Sequence, residues 1–263
     1  MAQRILITGA AGRIGRMLRP RMACRGRTLR LLDAEPIQRP QQPDGGEHVR
    51  ADVTDLPAMT EACQDADAVI HLAALSGEAD WETILRVNIH GTYTALEAAR
   101  RAGVPRVILA SSNHAVGFHP IGDEACPDYL FPRPDTFYGV SKATDEALGS
   151  LYHDRHGMDV LCARIGSANE RPPNVRGLGT WLSPDDCARL MEALLDTPDP
   201  GFRVVWGVSA NRRNPFSLAE ARALGYRPQD DSEHYAHLVP GSEDEPPDER
   251  IGGGWAVGPG GEG

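Results

Sequence analysis

The chain has 263 residues, 41% of them hydrophobic and 24% charged, ordinary globular values that suit one α/β domain with a substantial core. Its formal net charge of −10 repels phosphate backbones, which excludes nucleic acid as an expected partner, and it demands a local basic group wherever an anionic small molecule binds. Five scattered cysteines without a CxxC pair point to reduced thiols in the cytoplasm and to no zinc site.

The N-terminal apolar stretch is short and runs straight into a glycine motif, so neither a secretory signal nor a membrane span is expected. In chain order, Ile5–Thr8 is predicted as a strand, Arg13–Ala23 as a helix, and Thr28–Asp33 and His48–Ala51 as strands. Leu56–Cys63 reads as helical. Ala68–Leu72, an apolar run bounded by charge, reads as a buried parallel strand. A long helical pattern covers Trp81–Ala102 and stops at Gly103; Arg106–Ala110 follows as a strand. Phe137–His156 is helical and stops at Gly157, and Val160–Ile165 is a strand. Ser183 caps a helix with Pro184 at its first position, running to Leu195; Phe202–Trp206 is a late strand.

This alternation predicts an α/β fold: a Rossmann-like, doubly wound parallel sheet with a small C-terminal substrate-binding part. Residues 1–240 read as one domain. Ligands of such sheets bind beyond the carboxyl ends of the strands. Two Pro-containing stretches, Gly117–Asp135 and Ala168–Thr180, interrupt the pattern, so the substrate-binding loops are expected mainly in residues 112–137 and 166–182. Residues 241–263 are acidic and then Gly-rich. They are expected to be weakly ordered, without a catalytic role.

The run from Thr8 through Gly9, Ala10, Ala11, Gly12, Arg13, Ile14 and Gly15 is a GxxGxxG motif between a strand and a helix. Gly9 permits the tight turn, Gly12 lets the backbone approach a pyrophosphate, and Gly15 permits close helix–sheet packing. Asp33 ends the second strand, where a carboxylate accepts hydrogen bonds from ribose hydroxyls and repels a 2′-phosphate. Ala34 supplies no compensating arginine, so NAD is favoured over NADP. Asp52 and Val53 follow the third strand, within reach of an adenine. Leu72, Ala73 and Ala74 follow the fourth, where small residues let the chain pass under a cofactor.

Tyr138 and Lys142 form a YxxxK pair one helical turn apart, on one face. A lysine there can hold a nicotinamide ribose and favour the phenolate of a tyrosine whose reference pKa is about 10, so that it serves as a base. Ser111 and Ser112 stand at the end of the fifth strand, where a serine can bond the reacting oxygen. Asn88 lies mid-helix, able to bond a backbone carbonyl and order a proton-relay water. Ile165 ends the sixth strand on the cofactor side.

Together TGxxGxxG, Asp33, His71-Leu72-Ala73-Ala74, the NxxGT at Asn88, the serine pair and YxxxK resemble the extended short-chain dehydrogenases/reductases. That resemblance implies NAD(P)-dependent oxidoreduction, epimerisation or dehydration of sugars or sugar nucleotides. Ser111-Ser112-Asn113-His114, Arg133-Pro134-Asp135, Arg164-Ile165-Gly166-Ser167, Asn174-x-Arg176, Thr180-Trp181 and Val204-Val205-Trp206-Gly207 further resemble the uronate dehydrogenase branch. This narrower resemblance covers residue 4 to about 235. It implies oxidation of the C1 hemiacetal of a hexuronic acid to an aldarate lactone, with Tyr138 as base and Ser112 on the reacting oxygen. It also implies that Ser76, Asn113, His114 and Ser167 bond other sugar oxygens, and that Arg176 pairs with the C6 carboxylate bidentately. A homo-oligomer paired through helices flanking the sheet is implied as well.

Another extended sugar reductase or epimerase is the alternative, and a non-catalytic NAD-binding protein a further one. Arg164, Trp181 and Trp206 are read as structural, and His119, His153 and His156 as surface or loop residues. Ala73 and Ala74 stand where uronate dehydrogenases carry glycines.

Overall fold

Runs such as Ile5–Thr8 and Ala68–His71 are buried at every position, so both faces of the sheet are covered by helices. The computed structural model describes residues 3–23, 26–37, 46–241 and 248–256. Its strands are β1 (Arg4–Thr8), β2 (Thr28–Asp33), β3 (Glu47–Arg50), β4 (Ala68–His71), β5 (Arg106–Ser112), β6 (Asp159–Ile165), β7 (Ser167–Ala168), β8 (Trp181–Leu182) and β9 (Phe202–Gly207). Seven of them form one parallel sheet in the order β3-β2-β1-β4-β5-β6-β9, and β7 and β8 form a separate small ladder. The direction of winding reverses between β1 and β4, which opens a crevice at the carboxyl ends there.

The helices are α1 (Arg13–Ala23), α2 (Leu56–Ala62), α3 (Trp81–Ile84), α4 (Gly91–Ala102), α5 (Phe137–His156), α6 (Gly177–Thr180), α7 (Pro184–Asp196) and α8 (Ala219–Ala223). Local chemistry sets their ends. The side chains of Asp55, Asp80, Thr136 and Ser183 accept from backbone N–H groups in the first turns of α2, α3, α5 and α7. Gly103 and Gly157 close α4 and α5 in the left-handed conformation, at φ 74° and 67°. Two cores result. One joins α1 and α7 to the sheet through Met17, Leu18, Leu190 and Leu194; the other, on the opposite face, includes Met59, Leu96, Ala99 and Tyr152.

The structure corrects two expectations. The helical pattern over residues 81–102 is not uniform: a π turn at Leu85–His90 separates α3 from α4. The wider turn holds the buried Asn88, whose side chain accepts from Leu75 N and donates to Leu75 O and to Ser141 Oγ. Second, residues 248–256 of the expected weakly ordered tail fold back over the sheet end. Ile251 is buried, and its N–H and that of Gly252 donate to His119 O and Gly117 O. Residues 242–247 and 257–263 of that tail lie outside the described residues, as does Cys24.

Trp181 and Trp206 are buried, as expected, and Arg164 is structural. Its guanidinium grips Glu146 of α5 bidentately at 2.8 Å from β6 and also donates to Asp128 O. Arg164→Met would leave the Glu146 carboxylate buried without its counter-charge, a loss of about 3–5 kcal/mol. Urea unfolding checks this, and a change below about 1 kcal/mol would make the pair dispensable.

Candidate active site

A cleft of about 380 Å³ opens at the carboxyl ends of β1, β4, β5 and β6. Its nucleotide half is the turn after β1. Gly9 has φ 69°, and a Cβ there would come within 2.6 Å of Ala73 N; at Gly15 a Cβ would meet the carbonyl oxygens of Gly9 and Ala10 at 2.6 Å. Only glycine lets β1, β4 and α1 approach this closely. The first turn of α1 carries no acidic side chain, and Gly12, Arg13, Ile14 and Gly15 line the cleft at its start. That is the local requirement of a pyrophosphate.

Gly9, Gly12, Arg13, Ile14, Gly15, Leu72, Ala74, Ser111 and Ile165 line this cleft. The remaining residues expected on the cofactor stand behind or beside it. Asp33 accepts from Ala11 N through one oxygen and from Glu35 N through the other, bracing the glycine turn. Asp52 is engaged by Thr54, whose N–H and hydroxyl both donate to Oδ1, and lies 3.8 Å from Arg86; the Thr54 bonds hold its carboxyl below the usual range. Val53 is buried under Gly91. Ala73 N donates to Thr8 Oγ1 at 3.4 Å.

The chemical half is built by β5 and α5. Tyr138 and Lys142 both face the cleft from α5, with the Lys142 ammonium 5.8 Å from the centre of the Tyr138 ring. Ser112 ends β5; its Oγ accepts from His114 N and lies 3.5 Å from Asn113 Oδ1. Ser111 donates to Glu146 Oε1 at 2.6 Å, so its hydroxyl is committed to the interior. Asn88 is fully buried. It ties the loop at Leu75 to Ser141, and Ser141 in turn donates to Tyr138 O.

Beyond Tyr138 the cleft continues along Ser76, Asn113, His114, Ser167 and Arg176. His114 Nδ1 lies 2.8 Å from Asp135 Oδ2, which fixes the ring. Ser167 Oγ is 2.9 Å from Thr180 Oγ1. Arg176 donates from Nη2 to Ile251 O, and its Nε lies 3.2 Å from Asp248 Oδ2 in an ion pair without hydrogen-bond geometry. Burial pulls its pKa down against the opposing pull of Asp248 and then Asp135.

Three contributors escape a reading of the sequence. Glu78 accepts from the N–H groups of Phe137 and Tyr138, capping α5 beneath the tyrosine. Asp248 partners Arg176. Trp255 stacks on His114 at 4.4 Å and stands edge-on to Tyr138 at 6.4 Å, closing the cleft from the C-terminal segment. A lone tryptophan within a glycine run was the only signal for it.

A parallel sheet with a glycine turn after β1, and a tyrosine–lysine pair on the helix after β5, defines a dinucleotide-dependent oxidoreductase of the short-chain type. The chain belongs to the NAD dependent epimerase/dehydratase family, whose model matches residues 5–169. It is 41% identical over 239 residues to a uronate dehydrogenase of Pseudomonas putida, covering 90% of this chain and 87% of the relative. It is 40% identical over 268 residues to an NAD-dependent glucose-6-phosphate dehydrogenase of Haloferax volcanii, covering 95% and 100%. A mutant uronate dehydrogenase of Agrobacterium tumefaciens crystallised with NAD superposes with a TM-score of 0.88, at 38% identity and 98% coverage of both chains. NAD is the cofactor this cleft accommodates.

The close approach at Gly9 gives a direct check. Gly9→Ala puts a Cβ against Ala73 N and strains a left-handed residue, so the Kd for NAD, followed by calorimetry on the folded variant, should rise about tenfold or more. Unchanged affinity would remove the glycine turn from the cofactor site.

Proposed function

We propose that this protein oxidises the C1 hemiacetal of a hexuronic acid, D-glucuronate or D-galacturonate, to the aldarate lactone with NAD. The observation that carries the reading is a guanidinium, Arg176, on the far wall of the cleft that holds Tyr138. An acidic protein that takes an anionic sugar needs such a group.

In this reading the C1 hydroxyl of the sugar sits between Tyr138 and Ser112. Tyr138 accepts the hydroxyl proton, and the Lys142 ammonium stabilises the phenolate from which the tyrosine works. Ser112 donates to the same oxygen as the C1–O bond gains double-bond character. NAD, held by the glycine turn, Asp33 and Lys142, would supply the acceptor for the hydride of C1. Asn113, His114, Ser76 and Ser167 bond the remaining hydroxyls, with His114 held in orientation by Asp135. The C6 carboxylate meets Arg176, whose other neighbour is Asp248. Trp255 offers an apolar face over the ring, which excludes water from the reacting carbon. On the nucleotide side, Asp33 receives the adenosine ribose hydroxyls while bracing the turn, and Lys142 holds the nicotinamide ribose. Asn88 serves by keeping the Leu75 loop and α5 in register.

The compartment in this reading is the cytoplasm. The described cysteines Cys63, Cys126, Cys162 and Cys187 are free, and no helix among the described residues is long and apolar enough to cross a membrane. The assembly is a homo-oligomer. Trp81, Leu85, Tyr93, Phe137 and Leu151 are large, exposed and carried on the outer helices, and Trp81 and Phe137 pack together at 5.6 Å.

Two measurements test these statements. Purified protein with NAD is offered glucuronate, galacturonate and glucose 6-phosphate, and NADH is followed by absorbance. NADH with a uronate is expected; none with either uronate overturns the substrate, and an epimerase would show no net NADH at all. In the same assay Tyr138→Phe should lose turnover while retaining NAD binding. Arg176→Ala should lower kcat/KM for the uronate roughly thirtyfold, about 2 kcal/mol, chiefly through KM. Sedimentation velocity at micromolar concentration should show a dimer or larger; a monomer would leave those aromatic faces without a partner of their own kind.

A further inference from the structure

Asp145 lies one turn beyond Lys142 on α5. The Lys142 ammonium donates to its Oδ2 at 2.9 Å, with the two side chains 4% and 1% exposed. Its other oxygen, Oδ1, is buried without a hydrogen bond. A carboxylate that leaves one oxygen unsatisfied inside a protein is costly unless its charge is used. Here the only ammonium near it is that of the lysine already assigned to the cleft.

The surroundings isolate this charge. On α5, Glu146 is neutralised by its bidentate partner Arg164 of β6. His71 of β4 faces Lys142, but burial and then the ammonium itself hold its pKa down to about 3, so it stays neutral. Cys162 of β6 is pushed well above its ordinary value by burial and then by Glu146 and Asp145, so it stays a thiol. From α4 the Thr92 hydroxyl approaches the Asp145 carboxylate, and it lies 3.2 Å from His71 Nε2. Among the described residues, then, Asp145 is the one uncompensated anion facing Lys142, and Tyr138 is the remaining titratable neighbour. Burial alone would pull the ammonium down; Asp145 and then Tyr138 outweigh it and raise Lys142.

We propose that Asp145 is a positioning residue that acts through Lys142, keeping the lysine charged and fixed against the cleft wall and so setting the pH window in which Tyr138 works. It touches neither cofactor nor sugar. The sign of its effect is unambiguous. Removing a negative charge lowers the pKa of every group beside it, phenol and ammonium alike. Without Asp145 both limbs of the pH profile of kcat/KM therefore move toward acid together. A purely structural loss would lower the whole profile and leave its limbs in place.

This inference rests on the Tyr138–Lys142 reading above, and its test separates the two. Asp145→Asn, nearly isosteric, is assayed with NAD and the uronate the wild type oxidises across pH 5.5 to 10.5, a range of roughly two units around the neutral-to-alkaline values expected of the pair. Both limbs should shift down by about half a pH unit or more, and Asp145→Glu should restore them toward wild type. Unmoved limbs in a folded Asp145→Asn overturn the proposal, while activity in Tyr138→Phe would instead overturn the reading beneath it. Should the Asn variant not fold, ¹³C NMR of the wild-type Lys142 Cε, assigned by its loss in Lys142→Arg, decides. An ammonium that persists at pH 9 supports the ion pair; a neutral amine there refutes it, since that lies more than a unit below the ordinary lysine value of about 10.4.

Discussion

A buried ammonium organises this protein. Lys142 is almost wholly removed from water, and an isolated charge in that position would neutralise or force the site open. It persists because α5 brings it between Asp145 on its own helix and the Tyr138 ring one turn earlier. Everything that fixes α5 therefore fixes the chemistry. Thr136 and Glu78 cap its first turn, Ser141 and Asn88 stitch it to the loop after β4, and the Arg164–Glu146 pair clamps it to β6. The hydrogen bonds of Asn88 show how far this support reaches: the preceding helix widens into a π turn to deliver them.

The second constraint is steric. A nucleotide can lie across the switch point only where the backbone after β1 and the backbone after β4 nearly touch. At Gly9 and Gly15 there is no room for a Cβ, and the loop is braced from behind by Asp33, which accepts from Ala11 N. Asp33 thus serves the fold through both oxygens, to Ala11 N and Glu35 N, while remaining part of the proposed ribose site. A polar thread, from Thr8 to His71 to Thr92, runs beneath this turn toward Asp145. It joins the nucleotide half of the cleft to the lysine through the interior of the sheet.

What was legible in the sequence follows from what is local. Strands carry their burial as continuous apolar runs, helix ends carry caps and glycines, and YxxxK needs only a helical turn to be meaningful. So the parallel, doubly wound sheet, the glycine turn and the residues at the ends of β4, β5 and β6 could be anticipated. Asn88, Glu78, Asp248 and Trp255 act across separations that no local pattern encodes. Asn88 shows the limit well: its position was recognisable, but its partners, Leu75 and Ser141, depend on a π turn that periodicity does not announce. The C-terminal segment was misjudged for a related reason. Glycine-rich and acidic composition describes a chain that makes few contacts of its own, whereas Ile251 is held by a docking site built from other elements, among them Val116, Trp206 and Phe216.

That docked segment has a consequence for how the sugar end of the cleft works. The carbonyl of Ile251 accepts from both Asn113 Nδ2 and Arg176 Nη2, so two groups that line the cleft share one backbone oxygen. Asp248 stands on the other side of the same guanidinium, and Trp255 lies on His114. The segment therefore sets the direction and charge environment of Arg176 and covers His114 at once. Burial makes the guanidinium harder to keep charged, and Asp248 and then Asp135 offset this. In the proposed reading an arginine held in that way receives the ligand carboxylate, and it supplies the local positive charge that an acidic surface makes necessary.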